Sequence, residues 1–138
     1  MPGVSRPAFS FVRDVEPSPA RSVRVDRHYL LYASRGALRL DADGMQWLLP
    51  PARAALIRAG QDIDITVAQR STTASVLFST TFMAEPPANL TVMMMTPLCR
   101  ALVAECSQWD DTDEPLDAYA IALFRALGEA TWALAARP

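Results

Sequence analysis

Hydrophobic and polar residues alternate most cleanly at residues 62–67, DIDITV. Ile63, Ile65 and Val67 fall on one side, and Asp62, Asp64 and Thr66 on the other. A period of two belongs to an extended strand with one buried face, so an antiparallel strand is expected here. HYLLYASRGALRL reads as two strand-like runs around a tight-turn signal at residues 34–36. LRLDADGMQWLL reads as another hairpin, because Asp43-Gly44 supplies the positive φ angles a two-residue turn demands. Pro50 and Pro51 forbid a central strand at that point, and Gly60 marks a turn. Two further strands are expected, one around residues 76–78 and one in LTVMMM. Short strands at roughly ten-residue spacing predict a sandwich or barrel.

At Thr96 the period changes. Thr96-Pro97 is a helix start, with Thr as cap and Pro at the first helical position. Leu98, Leu102, Val103, Cys106 and Trp109 follow at helical spacing. DDTDEP interrupts, and residues 116–136 hold no breaker except Gly128, which predicts a helix of about six turns. Two apolar stripes run along it. Leu116, Ala120, Leu123, Leu127, Ala130 and Leu134 have the spacing of a coiled-coil seam. Ile121, Phe124, Gly128, Trp132 and Ala135 form the second. A monomer's surface helix needs one apolar face, so two faces predict two partners, and the leucine stripe is the expected subunit contact. Residues 1–22, rich in Pro, Ser and Arg, are expected as an arm with one short strand at residues 9–12.

Composition narrows the picture. A chain of 138 residues makes one domain with a real core. No apolar run is long enough to span a membrane, and the first residues lack the apolar region of a signal peptide; a cytoplasmic location is expected. The net charge is −2 and no basic stripe is present, so this segment is not expected to bind DNA by itself. All 13 basic residues are Arg, which fits a GC-rich bacterial genome and makes each Arg less informative. Cys99 and Cys106 on one helix would lie roughly 10 Å apart, too far for a disulfide, which needs less than about 7 Å.

Candidate chemistry is sparse. His28 is the sole histidine and has no ligand cluster, so it reads as an ordinary strand residue. Asp110, Asp111, Asp113 and Glu114 lack calcium-loop spacing and suit the start of a helix. Met93, Met94 and Met95 read as core filling. Ser34, Ser71 and Ser79 have no His–Asp set beside them. Arg27 and Tyr29 stand out: on an unbulged strand they share a face with Val23, Val25 and Leu31. A charged group on such a face needs an anion, an acceptor or water.

LLYASRGALRL at residues 30–40, WLLPPARAALIRAG at 47–60 and TPLCRALV at 96–103 resemble, in this order, the N-terminal cupin domain of bacterial transcription regulators of the arabinose-regulator (AraC) type. The resemblance covers residues 23–132. It implies an arm (1–22), a cupin-like antiparallel β-barrel (double-stranded β-helix, 23–95) and two C-terminal α-helices that dimerise (96–138). It implies a small-molecule effector, and DNA contact only through helix-turn-helix units outside this chain. Where such barrels carry metal-binding histidines, this sequence has Val23, Val25 and Ile63, which offer no lone pair. A metal-free, cofactor-free barrel that binds rather than transforms its ligand is expected. Phe9, Phe11, Val23, Val25, Arg27, Tyr29, Ile63 and Ile65 are the expected pocket residues, with Phe9 and Phe11 closing over the ligand. The alternatives are a stand-alone cupin enzyme, an isomerase or dioxygenase, and a dimerisation module whose pocket is filled by its own side chains.

Overall fold

A computed structural model describes residues 6–137. Among them the chain forms β1 (Ala8–Val15), β2 (Ser18–Val23), β3 (His28–Arg35), β4 (Leu38–Ala42), β5 (Met45–Leu49), β6 (Arg53–Ile57), β7 (Ile63–Val67), β8 (Ser71–Phe78), β9 (Leu90–Met94), α1 (Pro97–Cys106) and α2 (Ala118–Ala135). Two antiparallel sheets result, in the orders β1-β8-β3-β6-β9 and β2-β7-β4-β5. Successive strands interleave between facing sheets, the jelly-roll arrangement of a cupin.

Burial explains which strands alternate. β7 lies in the four-stranded sheet, whose outer face meets water: Ile63 and Val67 are buried, while Asp62 just before it is exposed. β3, β6 and β8 lie in the five-stranded sheet, which is covered on both faces. Leu30, Leu56, Val76 and Phe78 pack against the helices, and Leu31, Ala33, Ala55 and Ile57 pack toward the other sheet. Their sequences are therefore near-continuous apolar runs.

Both helices cap as their sequences dictate. The Thr96 hydroxyl accepts the Cys99 N–H at 3.1 Å, and Pro97 occupies the first turn. The Asp117 carboxylate accepts the Ala120 N–H at 2.8 Å, so α2 starts after Asp117 rather than at Leu116. The loop before β9 is held to α2 at three points. Arg125 donates to the Phe82 carbonyl at 2.6 Å, Trp132 Nε1 donates to Ala84 O at 2.9 Å, and Gly128 lets Met83 approach. A Cβ on Gly128 would stand 2.7 Å from the Met83 sulfur, which is why this helix tolerates a glycine mid-length.

Three expectations change. The stretch expected as an arm carries two strands: β1 pairs with β8 along its whole length, Ala8 with Phe78 through Val15 with Ser71, and β2 pairs with β7. Residues 1–5 of that stretch lie outside the described residues. The turn near Gly36 is no hairpin, because β3 pairs with β6 and β8 whereas β4 pairs with β5 and β7. The chain crosses between sheets there, and Gly36, with φ of 78°, backs onto the Arg70 carbonyl. The leucine stripe faces inward: Leu116, Ala120 and Leu127 are buried in the chain's own core, and Leu123, Ala130 and Leu134 pack on the same cluster. Phe124 of the second stripe is also fully buried, and Trp132 and Ala135 pack there too. Apart from Ile121, which is exposed, the two stripes are one broad face lying on α1 and the five-stranded sheet, which leaves Ala118, Ala122, Ala126 and Ala133 exposed.

Candidate functional site

Between the two sheets lies a chamber of about 460 Å³. Strand register decides what lines it. β1 and β2 are the facing edge strands of the two sheets. From β1, Phe11, Arg13 and Val15 line the chamber; from β2, Ser18 and, after a shift of register, Arg21 and Val23 do, followed by Val25. Thr73, Ser75 and Leu77 of β8 and Tyr29 and Leu31 of β3 form one wall, and Ile65, Val67 and Leu38 the other. The lining is mainly apolar, with few polar groups at fixed places, as in small-molecule sites generally.

The polar groups fall into two sets. Deep in the chamber, the Tyr29 hydroxyl and the Ser75 hydroxyl lie 2.9 Å apart and satisfy one another. Burial raises the Tyr29 phenol above its ordinary pKa, and the Ser75 hydrogen bond, Arg13 and Arg21 draw it partly back. Toward the opening between β1 and β2 stand Arg13 and Arg21. Among the described residues neither forms an ion pair; Arg13 rests its guanidinium 4.3 Å from the centre of the Phe11 ring. The one lining carboxylate, Glu16, lies 3.5 Å from Arg70. Two cations at inward positions of an apolar chamber make a place where an anion is stabilised.

Of the expected pocket residues, Phe11, Val23, Val25, Tyr29 and Ile65 line this chamber. Phe9 and Arg27 line a separate crevice beyond it, which shares Val25 and Leu77 with the chamber. Arg27 donates to the Arg6 carbonyl at 2.9 Å and lies over the Phe9 ring at 5.1 Å. Ile63 is 3% exposed and belongs to the core between the sheets rather than to the chamber lining. Arg13, Arg21 and Ser75 line the chamber without being legible as pocket positions in the sequence. The first two lie in the stretch expected as an arm, beyond the short strand expected at residues 9–12.

The metal positions of cupins do not fit a metal here, since Val23, Val25 and Ile63 carry only hydrocarbon. Among the described residues no group of three or more His, Cys, Asp or Glu side chains could hold a metal ion. His28 lies on the other side of its sheet from the chamber. It is buried, its Nδ1 accepts the Ala59 N–H at 3.0 Å, and its ring meets Trp132 edge-on at 5.8 Å. Burial lowers its pKa, Arg58 lowers it further, and Glu85 and the Met83 backbone oppose that shift. Cys99 and Cys106 are free and buried, and burial pushes the Cys106 thiol up to about 12, so it remains protonated. No helix among the described residues is long and apolar enough to cross a membrane.

No protein-family model matches the chain, and no curated protein does. Solved structures do match in fold. An apo variant of ToxT from Vibrio cholerae superposes with a TM-score of 0.67 at 10% identity, over 91% of this chain and 54% of that one. Wild-type ToxT with a bound unsaturated fatty acid gives 0.68 at 9% identity, over 98% of this chain and 56% of that one. ToxT bound to (E)-4-(8-methylnaphthalen-1-yl)but-3-enoic acid gives 0.59 at 9% identity, over 91% and 57%. The chain thus spans about half the length of the structures it matches. The fold is that of the cupin-type N-terminal domain of ToxT, an AraC-family regulator.

Proposed function

We propose that this chain is the effector-sensing domain of an AraC-type transcription regulator, and that its effector is an amphipathic organic acid. The observation that carries this reading is the pair Arg13 and Arg21 at the opening of a mainly apolar chamber. The body of the ligand would lie against Phe11, Val23, Leu31 and Ile65, its carboxylate would meet the guanidiniums, and Tyr29 and Ser75 would bond to a polar atom farther in. The acids bound by ToxT support the same ligand class. The chamber's volume favours a sensor over a barrel filled by its own side chains. The lining holds one carboxylate, Glu16, no histidine or cysteine and no nucleophile–base pair, which supports binding over transformation.

Two finer parts belong to the same reading. A second copy of the chain would dock on the exposed alanine face of α2, since the leucine face is occupied. DNA contact would belong to a helix-turn-helix part outside these 138 residues. The test of the ligand class is native mass spectrometry of the chain incubated separately with decanoic acid and with decanol. Retention of one decanoate per chain and little alcohol is expected. Equal retention of both would contradict the role of the arginines.

A further inference from the structure

The chamber does not end in solid core. Val25 and Leu77 line it on one side and line the outer crevice on the other. Beyond them the crevice is charged: Arg24, Asp26, Arg27 and Asp111 stand around it with Phe9 and Gly60. The strand registers place this partition relative to the arginines. Arg13 pairs with Thr73, and Phe9 and Tyr29 both pair with Leu77, four residues farther along β8. Arg21 pairs with Ile65, and Val25 lies four residues beyond Arg21 along the chain. Four strand residues span about 13 Å. In the opposite direction the chamber runs only to Val67 and Leu38, two residues past the Ile65 level, or about 7 Å. The long branch therefore runs from the arginines to the partition.

We propose that Val25 and Leu77 set the longest ligand the chamber accepts, so that the preferred effector is a medium-chain acid. This rests on the acid reading above. With the carboxylate held at Arg13 and Arg21, an extended hydrocarbon tail reaches the partition in about ten carbons. A longer tail has to displace Leu77 or bend back, and past the partition it meets charged groups in water, where burial gains nothing. Leu77 is 8% exposed and has Phe9 of β1 and Tyr29 of β3 as its direct cross-strand neighbours, which leaves its side chain little room to swing aside.

The experiment is titration calorimetry of the 138-residue chain with straight-chain acids from hexanoate to hexadecanoate below their micelle concentrations. In the wild type, affinity is expected to rise about fourfold per methylene up to about ten carbons, and then to stop rising or fall. Leu77→Ala, which removes three side-chain carbons, moves that break to longer acids by about three carbons, and Val25→Ala by about two. Leu77→Phe moves it to shorter acids. Circular dichroism checks each fold, and Val25→Ala, at a half-buried position, decides the matter if a Leu77 variant unfolds. A break at the same length in wild type and folded variants, or no break at all, overturns the partition and leaves the acid reading standing. If no acid of any length binds the wild type, the acid reading falls and the partition falls with it.

Discussion

Ser10 donates its backbone N–H to the Trp109 carbonyl at 2.8 Å, so the strand that carries Phe11 and Arg13 into the chamber is joined to the loop between the helices. Arg6 strengthens the junction from the same segment, donating to Glu114 O at 2.6 Å and to Asp110 O at 2.7 Å. Trp109 in turn packs against Phe124 and Tyr119 of α2. The strand bordering the chamber and the helical layer are thus joined directly.

That junction has a measurable strength. Arg6 is 7% exposed, and Arg6→Ala removes two hydrogen bonds from a charged donor. The freed carbonyls lie in an exposed loop and regain water. A loss of about 2 kcal/mol in urea unfolding is expected, together with faster proteolysis of residues 109–114. An unchanged midpoint would show that the segment before β1 contributes nothing to the fold.

The two faces of α2 answer differently to charge. Leu127 is fully buried, and Leu127→Glu puts a carboxylate into the core between α2 and the five-stranded sheet. A loss of about 4 kcal/mol or more, a large part of the stability of a typical domain, is expected, with loss of the native circular dichroism where the margin is small. Ala126→Glu, on the exposed face, should leave circular dichroism unchanged. In the docking arrangement proposed above it also abolishes the dimer, which sedimentation equilibrium reads directly. A folded Leu127→Glu monomer would return the subunit contact to the leucine face.

Most of the strand and helix pattern was legible because it depends on local rules. The Asp43-Gly44 turn has positive φ at both residues, 52° and 76°, and joins β4 to β5 as its dipeptide predicts. Thr96-Pro97 begins α1 for the same local reason. What failed depends on distant partners. Nothing in HYLLYASRGALRL shows that its two halves enter different sheets, since that is set by β6 and β8. The two stripes of α2 looked like two interfaces because a helix lying in the groove between α1 and a sheet buries a wide arc. β1 was legible only at residues 9–12, because Arg13 and Asp14 break its apolar run, and β2 was hidden by Pro19 and Arg21. Arg13 and Arg21 thus interrupt the inward apolar pattern of the two strands that border the chamber.

His28 makes stability depend on pH. Burial depresses its folded pKa below the ordinary 6.5, so the unfolded chain binds the proton more readily. The contribution is fully present above about pH 6.5 and is lost as pH falls through the depressed folded value. It is the sole histidine, so little else titrates in that window. Urea midpoints at about pH 7.5 and pH 5.5 should differ in the wild type and differ less in His28→Gln. An equal pH dependence in both would place the effect on the carboxylates.

In the proposed function, the space between the sheets holds an acid at Arg13 and Arg21. The decisive measurement is titration calorimetry of decanoate into the wild-type chain and into Arg13→Ala/Arg21→Ala. Both substitutions lie at exposed positions on edge strands, so the fold should persist. Saturable one-to-one binding by the wild type is expected, weakened about tenfold or more in the double variant, as loss of charge-assisted hydrogen bonds requires. Binding of equal strength in both proteins, or none in the wild type, would remove the arginines from any role in holding an acid.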